Sequence, residues 1–278
     1  MSTKVRRSKT TDFGTPEWIR HLAHCVDLIG TSEFPESLVN SLKSLVDVDY
    51  SEAFAYSQNE KPVCLFHTFD ADQQVVFVDD YLKGPYLLDP FFKACGRKVK
   101  TGLYRMQDIA PDRFYQSEYY RSYYIQTGLS EEICFTFYLP NEVAVVISLM
   151  RAGESPRFSA REFRILQSVT PIVVSMAKRH WHDASRKFDS ATALTEKNND
   201  PLSIEHKVSE LFSQRITPRE TQVVAQVLEG HSSDSIARSL GITVGTVRIH
   251  RRNIYAKLQI SSQQELFSIF FSNITAGR

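Results

Sequence analysis

The spacing of apolar positions divides the chain into two parts of different texture. Residues 16–30, PEWIRHLAHCVDLIG, carry a helical pattern with Thr15 as N-cap and Pro16 in the first turn. A second helix is predicted over 35–46, where Leu38, Leu42 and Leu45 share a face. SEAFAYS (51–57) and PVCLFHTF (62–69) read as strands. The stretch 72–82 contains VVFV, which suits a strand, but Val75, Val78 and Leu82 also fit one helix face. It runs smoothly into DDYLKG, so a helix is expected. Asp89-Pro90 sits inside the aromatic run YLLDPFF and starts another helix, with the carboxylate as its cap. Pro111 and Gly128 bracket a tyrosine-rich helix, or two short ones. EEICFTFYLP and EVAVVISLM are strands joined as a hairpin through Pro140-Asn141. Residues 159–181 form a long helix capped by Ser159, with a bend expected at Pro171.

The pattern then changes. Residues 183–201 are polar and without period, as a linker would be. A short amphipathic helix follows over 203–214, striped by Ile204, Val208, Leu211 and Phe212. Beyond Ile216 there is no strand signal. The elements therefore predict an α+β domain, an antiparallel sheet with flanking helices, followed by an all-α domain. The expected boundaries are a disordered arm at 1–15, a folded domain at 16–182, a linker with its short helix at 183–215, and the helical domain at 216–278.

Composition narrows the function classes. In 278 residues, 42% are hydrophobic and 23% charged, an ordinary globular balance. A net charge of +1 gives no global pull toward nucleic acid or membrane, so any basic site is local. No apolar run approaches a membrane span, and the basic N-terminus MSTKVRRSKTTDFG lacks the apolar stretch of a secretory signal. A cytoplasmic location and no membrane partner are expected. Cys25, Cys64, Cys95 and Cys134 are widely spaced, which favours small buried hydrophobes over disulfides or ligands. His21 and His24 lie three apart on one helix, but exposed helix histidines are commoner than metal ligands. No nucleophile elbow, catalytic carboxylate pair or Walker-type loop occurs, so no enzyme, cofactor or metal is expected.

The strongest signal lies in ITPRETQVVAQVLEGHSSDSIARSLGITVGTVRIHRRNIYAKLQISSQQEL. Thr217 with Glu220 makes a capping box, Gly230 ends that helix, and Ser232 or Ser233 caps the next. Gly241 and Thr243 form a turn into a third helix beginning near Val244. Val247, Ile254 and Leu258 fall on its inward face; Gly245, Arg248, Ile249 and Arg252 fall on another. From Ile216 onward there are seven Lys or Arg against four Asp or Glu, a local basic surplus. Two short helices around a glycine-containing turn, the second with a basic outer face, make a helix-turn-helix that enters the major groove. An arginine on such a face can pair both hydrogen bonds with guanine O6 and N7. Thr246, His250, Arg251 and Lys257 are the candidate phosphate contacts.

This segment resembles the DNA-binding domain of the LuxR/FixJ/NarL family of bacterial transcription regulators. The likeness rests on Thr217, Arg219, Glu220, Gly230, Ile236, Ala237, Leu240, Thr246, Val247, His250, Lys257 and Leu258. Ser233, Asp234 and Ser235 replace the family's usual Asn-Lys-Glu stretch, and Gly245 sits where a basic or polar residue is common. The family places its third helix in the major groove, so the resemblance makes Arg248, Ile249 and Arg252 the base-facing candidates. It also implies a homodimer on a two-fold symmetric double-stranded DNA site, and contact with RNA polymerase if the chain activates. The long helix 159–181 and the 203–214 stripe are the candidate dimer elements.

In such regulators the preceding domain receives the signal. VVFVDD superficially resembles a receiver strand, but no phosphoacceptor Asp follows a later apolar strand. Residues 16–182 instead resemble, in part, the autoinducer-binding, GAF/PAS-like domain of LuxR-type regulators. Asp89-Pro90 matches that family's Asp-Pro, Tyr104 falls where a Trp is usual, and Gly128-Leu129 matches its later half. The family's upstream Trp and Tyr have no match beyond Tyr81. The resemblance implies a small-molecule effector, quorum sensing among the possibilities, with Tyr81, Tyr86, Asp89 and Tyr104 as candidate ligand contacts. The other reading is a ligand-free dimerisation or protein-interaction module.

Overall fold

The computed structural model describes residues 15–57, 60–188 and 203–276. The expected arm before Thr15, and the linker from 189 to 202, lie outside the described residues.

The sheet is built from β1 (Tyr50–Ser57), β2 (Glu60–His67), β3 (Gly102–Arg105), β4 (Leu129–Tyr138) and β5 (Ala144–Ala152). Its order is β2-β1-β5-β4-β3, and every neighbouring pair is antiparallel. The β4–β5 hairpin turns at Pro140–Glu142, with Asn141 at φ 59°, as the Pro-Asn pair predicts. The sequence reading missed β3. At four residues it is too short to carry an alternation signal, and pairing with β4 is what makes it a strand.

Alternation gives the sheet two unlike faces. One carries Ala53, Ala55, Ile133, Phe135, Phe137, Val145, Ile147 and Leu149, all buried. Helices α1 (Pro16–Asp27), α2 (Phe34–Leu45) and, after β5, α7 (Ala160–His180) pack on that side. Thr15 caps α1 by accepting from the Trp18 amide. Helix α7 opens with a Ser159–Glu162 capping box and runs on through Pro171 as one helix. Glu162 also pairs with the buried Arg151 of β5 at 2.6 Å, which ties helix to sheet.

The other face is covered by a layer of short helices. They are α3 (Ala71–Gln74), a π-helical turn (Val75–Asp80), 3-10 turns at Tyr81–Lys83 and Pro85–Leu88, α4 (Pro90–Gly96), α5 (Met106–Ile109) and α6 (Glu118–Ser122). The helix expected at 72–82 is present, but its middle is widened to π geometry, a form that recurs at functional sites.

The C-terminal helices are α8 (Ile204–Phe212), α9 (Pro218–Glu229), α10 (Ser233–Leu240), α11 (Val244–Leu258) and α12 (Gln263–Thr275). Thr217 and Glu220 form the predicted box, and Gly230 closes α9 at φ 95°. Helix α8 packs on α9 and buries Ile204, Val208 and Phe212. Those residues were expected as a dimer surface; they serve this chain's own core instead, because α9 offers the nearer apolar partner.

Candidate functional site

Thr243 starts α11 by accepting from the Thr246 amide, and Val247, Ile254 and Leu258 anchor it inward. That packing turns Arg248, Ile249 and Arg252 to solvent, with Ile249 50% exposed. An aliphatic side chain left so open beside two arginines makes a surface of the kind that meets bases and thymine methyls. Thr246 and His250 flank it, partly buried. Two other candidates are engaged by neighbouring side chains of the same domain. Arg251 donates to the Tyr255 hydroxyl at 3.2 Å and to Gln263 at 2.9 Å. Lys257 pairs with Glu220 at 2.7 Å, so the carboxylate that caps α9 also tethers the end of α11. Burial works to raise the Glu220 carboxyl, but hydrogen bonds from Lys257 and Thr217 outweigh it and hold the group below its ordinary value.

The second candidate lies on the covered face of the sheet. Asp89 caps α4 through the Phe91 amide at 2.8 Å, and its other oxygen accepts from the Tyr81 hydroxyl at 2.7 Å. Tyr81 meets the Tyr56 hydroxyl at 3.0 Å. Two more carboxyls share this face, Glu52 of β1 and Glu132 of β4. Glu132 accepts from Tyr124 at 3.4 Å and from the Cys134 thiol at 3.4 Å, and Cys134 meets Ser148 at 3.1 Å. Burial pushes Asp89 up to about 6, against its hydrogen bonds from Tyr81 and the backbone. Burial, with the Asp89 charge, pushes Glu132 up to about 7. Burial raises Glu52 well above its ordinary value too, reinforced by Glu132 and Asp89.

Of the predicted ligand residues, Tyr81 and Asp89 touch each other, and Tyr86 packs beside Tyr81 with ring centroids 6.1 Å apart. Tyr104 does not join them through its hydroxyl, which donates to the Lys100 carbonyl at 2.7 Å. Sequence reasoning missed Glu52, Tyr56 and Glu132. The usable signal was alternation: Glu52 has the strand parity of Phe54 and Tyr56, and Glu132 that of Cys134.

The C-terminal helices close over this layer. Arg113 donates its amide to the Gly230 carbonyl at 3.0 Å, and Asp112 accepts from the Ser232 amide at 2.9 Å. Lys93 of α4 pairs with Glu229 of α9 at 2.7 Å, and His231 approaches the same carboxyl at 3.4 Å. Burial works to raise Glu229, but the His231 hydrogen bond and the Lys93 charge outweigh it and bring the group to about 2. Gly84 stands at φ 155°, and a Cβ there would sit 2.8 Å from the Ile274 carbonyl oxygen. Only glycine admits α12 so closely. A cleft of about 860 Å³ remains between the two regions, lined by Phe92, Lys93, Arg97, His206 and Glu229 among others.

Residues 214–270 match the family described as bacterial regulatory proteins, luxR family. An HTH-type transcriptional regulator from the exeN 3′ region of Aeromonas salmonicida is 28% identical over 186 residues, covering 67% of this chain and 94% of that protein. The monoamine regulon transcriptional regulator of Klebsiella aerogenes is 28% identical over 188 residues, 68% of this chain and 70% of its own length. The fold of the N-terminal region is shared with the VqsR LBD domain from Pseudomonas aeruginosa. That match has a TM-score of 0.53 and 24% identity, and it covers 60% of this chain and 97% of that one. The family and these relatives are regulators rather than enzymes.

Proposed function

We propose, from the premise that this chain is a transcriptional regulator with a LuxR-family helix-turn-helix, that a small-molecule signal held on the covered face of its sheet controls DNA binding. The sensor comprises residues 16–182 and the DNA-binding domain residues 216–278, joined by the 183–215 segment. Two copies bind a two-fold symmetric site in the cytoplasm, each placing α11 in a major groove. Arg248, Ile249 and Arg252 read bases. Thr246, His250, Arg251 and Lys257 hold phosphates once Arg251 and Lys257 leave their internal partners. Tyr81, Tyr86 and Asp89 contact the signal, and Tyr104 borders it.

The observation that carries the control is Tyr123. Its hydroxyl donates to the Val76 carbonyl at 3.1 Å, in the π-helical cover of the acid cluster. Its ring meets Phe271 of α12 with centroids 6.1 Å apart. A ligand that lifts the cover therefore moves the side chain on which α12 rests, and so favours one arrangement of the DNA-binding domain over another.

Denaturing alongside native mass spectrometry on the full chain, purified from its source bacterium, tests the signal. A stoichiometric small mass that Asp89→Ala loses is expected; a folded chain with no bound mass rejects the reading. For DNA, sites are selected from random oligonucleotides. Arg252→Ala is expected to lose roughly 1–3 kcal/mol of discrimination at one base pair while non-specific binding persists. Unchanged selectivity rejects α11 as the reader. A second reading, an N-terminal module that works without a small molecule, is favoured by the dense ring stack of Phe69 on Phe77 at 4.4 Å. The same mass measurement separates the two.

A further inference from the structure

The covered face of the sheet buries three carboxyls, and burial disfavours their charged forms. Glu52, Asp89 and Glu132 lie close enough to raise one another or to be raised by burial together. Among the described residues, no lysine or arginine pairs with any of the three; the ion pairs join other acids, such as Glu131 with Arg105 and Glu229 with Lys93. Asp89 and Glu132 are served by tyrosine hydroxyls, a thiol and backbone amides. Glu52 is not so served. Its Oε2 is buried and has no hydrogen-bond partner. The same is true of Nδ1 of His67, which lies directly across the β1–β2 ladder from Glu52 and so on the same face. Buried polar atoms without partners are costly, and this facing pair marks a place that a further group can complete.

The chemistry of these two atoms selects the ligand. A neutral donor satisfies one acceptor but brings no counter-charge against the burial that disfavours the Glu52 carboxylate. An ammonium brings N–H donors and a positive charge together to Glu52, whose Oε2 lacks a partner. The walls suit a cation as well. Tyr81 lies 5.1 Å from Phe54, Phe69 stacks on His67 at 5.7 Å, and Tyr50 faces Phe69 at 5.7 Å between ring centroids. Aromatic faces attract ammonium groups, most strongly where water is excluded. An inorganic ion is the poorer fit, since among the described residues no three His, Cys, Asp or Glu side chains converge as a metal site.

We infer that this face of the sheet binds a small organic amine, protonated at neutral pH, with Glu52 as its counter-ion, His67 as a neighbouring acceptor and the aromatic rings as its walls. The inference rests on the small-molecule reading above and names the class of that molecule. Binding places the positive charge against β1 and the organic tail under the π-helical cover, the segment that Tyr123 links to α12.

The test titrates the full chain with phenethylamine and n-butylamine, and with 2-phenylethanol as the neutral counterpart, followed by thermal unfolding and calorimetry. At saturation at least one amine raises Tm by about 2–4 °C, and the alcohol does not. Glu52→Gln weakens the amine at least about tenfold while its own unliganded Tm stays at or above the parent's. Should Glu52→Gln not fold, Glu132→Gln serves, with a smaller loss expected. Three outcomes overturn the inference: no amine effect, an equal effect of the alcohol, or amine affinity indifferent to both substitutions. A neutral molecule recovered with the source protein by mass spectrometry would also overturn it, yet leave small-molecule control standing; recovery of no molecule would remove both.

Discussion

The two faces of the sheet are made by the same strands and do opposite work. On one, Ala53, Phe135, Ile147 and their neighbours meet α1, α2 and α7 in a dry aliphatic and aromatic layer. On the other, one residue along each strand, Glu52, Ser148, Cys134 and Glu132 form a polar row beneath short, irregular helices. On the apolar face the conformational entropy lost on ordering is offset mainly by apolar burial, with the Arg151–Glu162 pair at its edge. The polar face is costly to bury, and it is covered by a π-helical and 3-10 layer on which α9 and α12 rest. One face holds the fold together, and the other keeps a place that responds to what enters it.

Substitutions can break that contrast in order of size. Phe135→Ala on the dry face should cost about 3–5 kcal/mol and lower Tm by roughly 10 °C, since a fully buried ring leaves a cavity. A loss under about 1 kcal/mol would deny the dry face its structural role. The polar face should show itself in pH dependence. Glu132 and Asp89 are held protonated up to about 7 and about 6, whereas their unfolded forms ionise near the ordinary carboxylate range. The folded state therefore binds the extra protons. The stability this adds is complete below about pH 4 and is lost as pH rises through about 6 to 7. Tm should fall by several degrees between about pH 5 and about pH 8, and Glu132→Gln should flatten the slope. An unchanged slope in that variant would place the titration elsewhere; Glu229, held near 2, titrates below this window.

The smallest effect concerns the cover. Gly84→Ala drives a Cβ against the Ile274 backbone at a positive φ and should loosen α12 by about 1–3 kcal/mol. Amide exchange in α12 should quicken while α7 on the dry side stays protected. Unchanged α12 exchange in Gly84→Ala would mean that α12 does not lean on the cover.

Legibility followed the reach of the signals. Thr217 with Glu220, Gly230, Thr243 and the inward row Val247, Ile254 and Leu258 act within one or two helical turns, so the helix-turn-helix was readable from spacing alone. Asp89 was readable as a helix cap because its Pro90 is adjacent. The strand β3 was not, since four residues gain strand form only from β4. Nor was the Tyr104 hydroxyl's turn toward Lys100, which depends on the edge position of its strand.

By itself, then, the sequence determined the local elements, the DNA-reading motif and the α+β character of the N-terminal region, because caps, glycines and periodicity act between residues that are neighbours along the chain. Only the tertiary structure decided that Glu52 and Glu132, eighty residues apart, share one buried face with Asp89. It alone decided that Lys257 is tethered to Glu220, and that α12 settles on Gly84. Those outcomes rest on strand register and helix docking, in which the partner of each residue is chosen by where the rest of the chain goes.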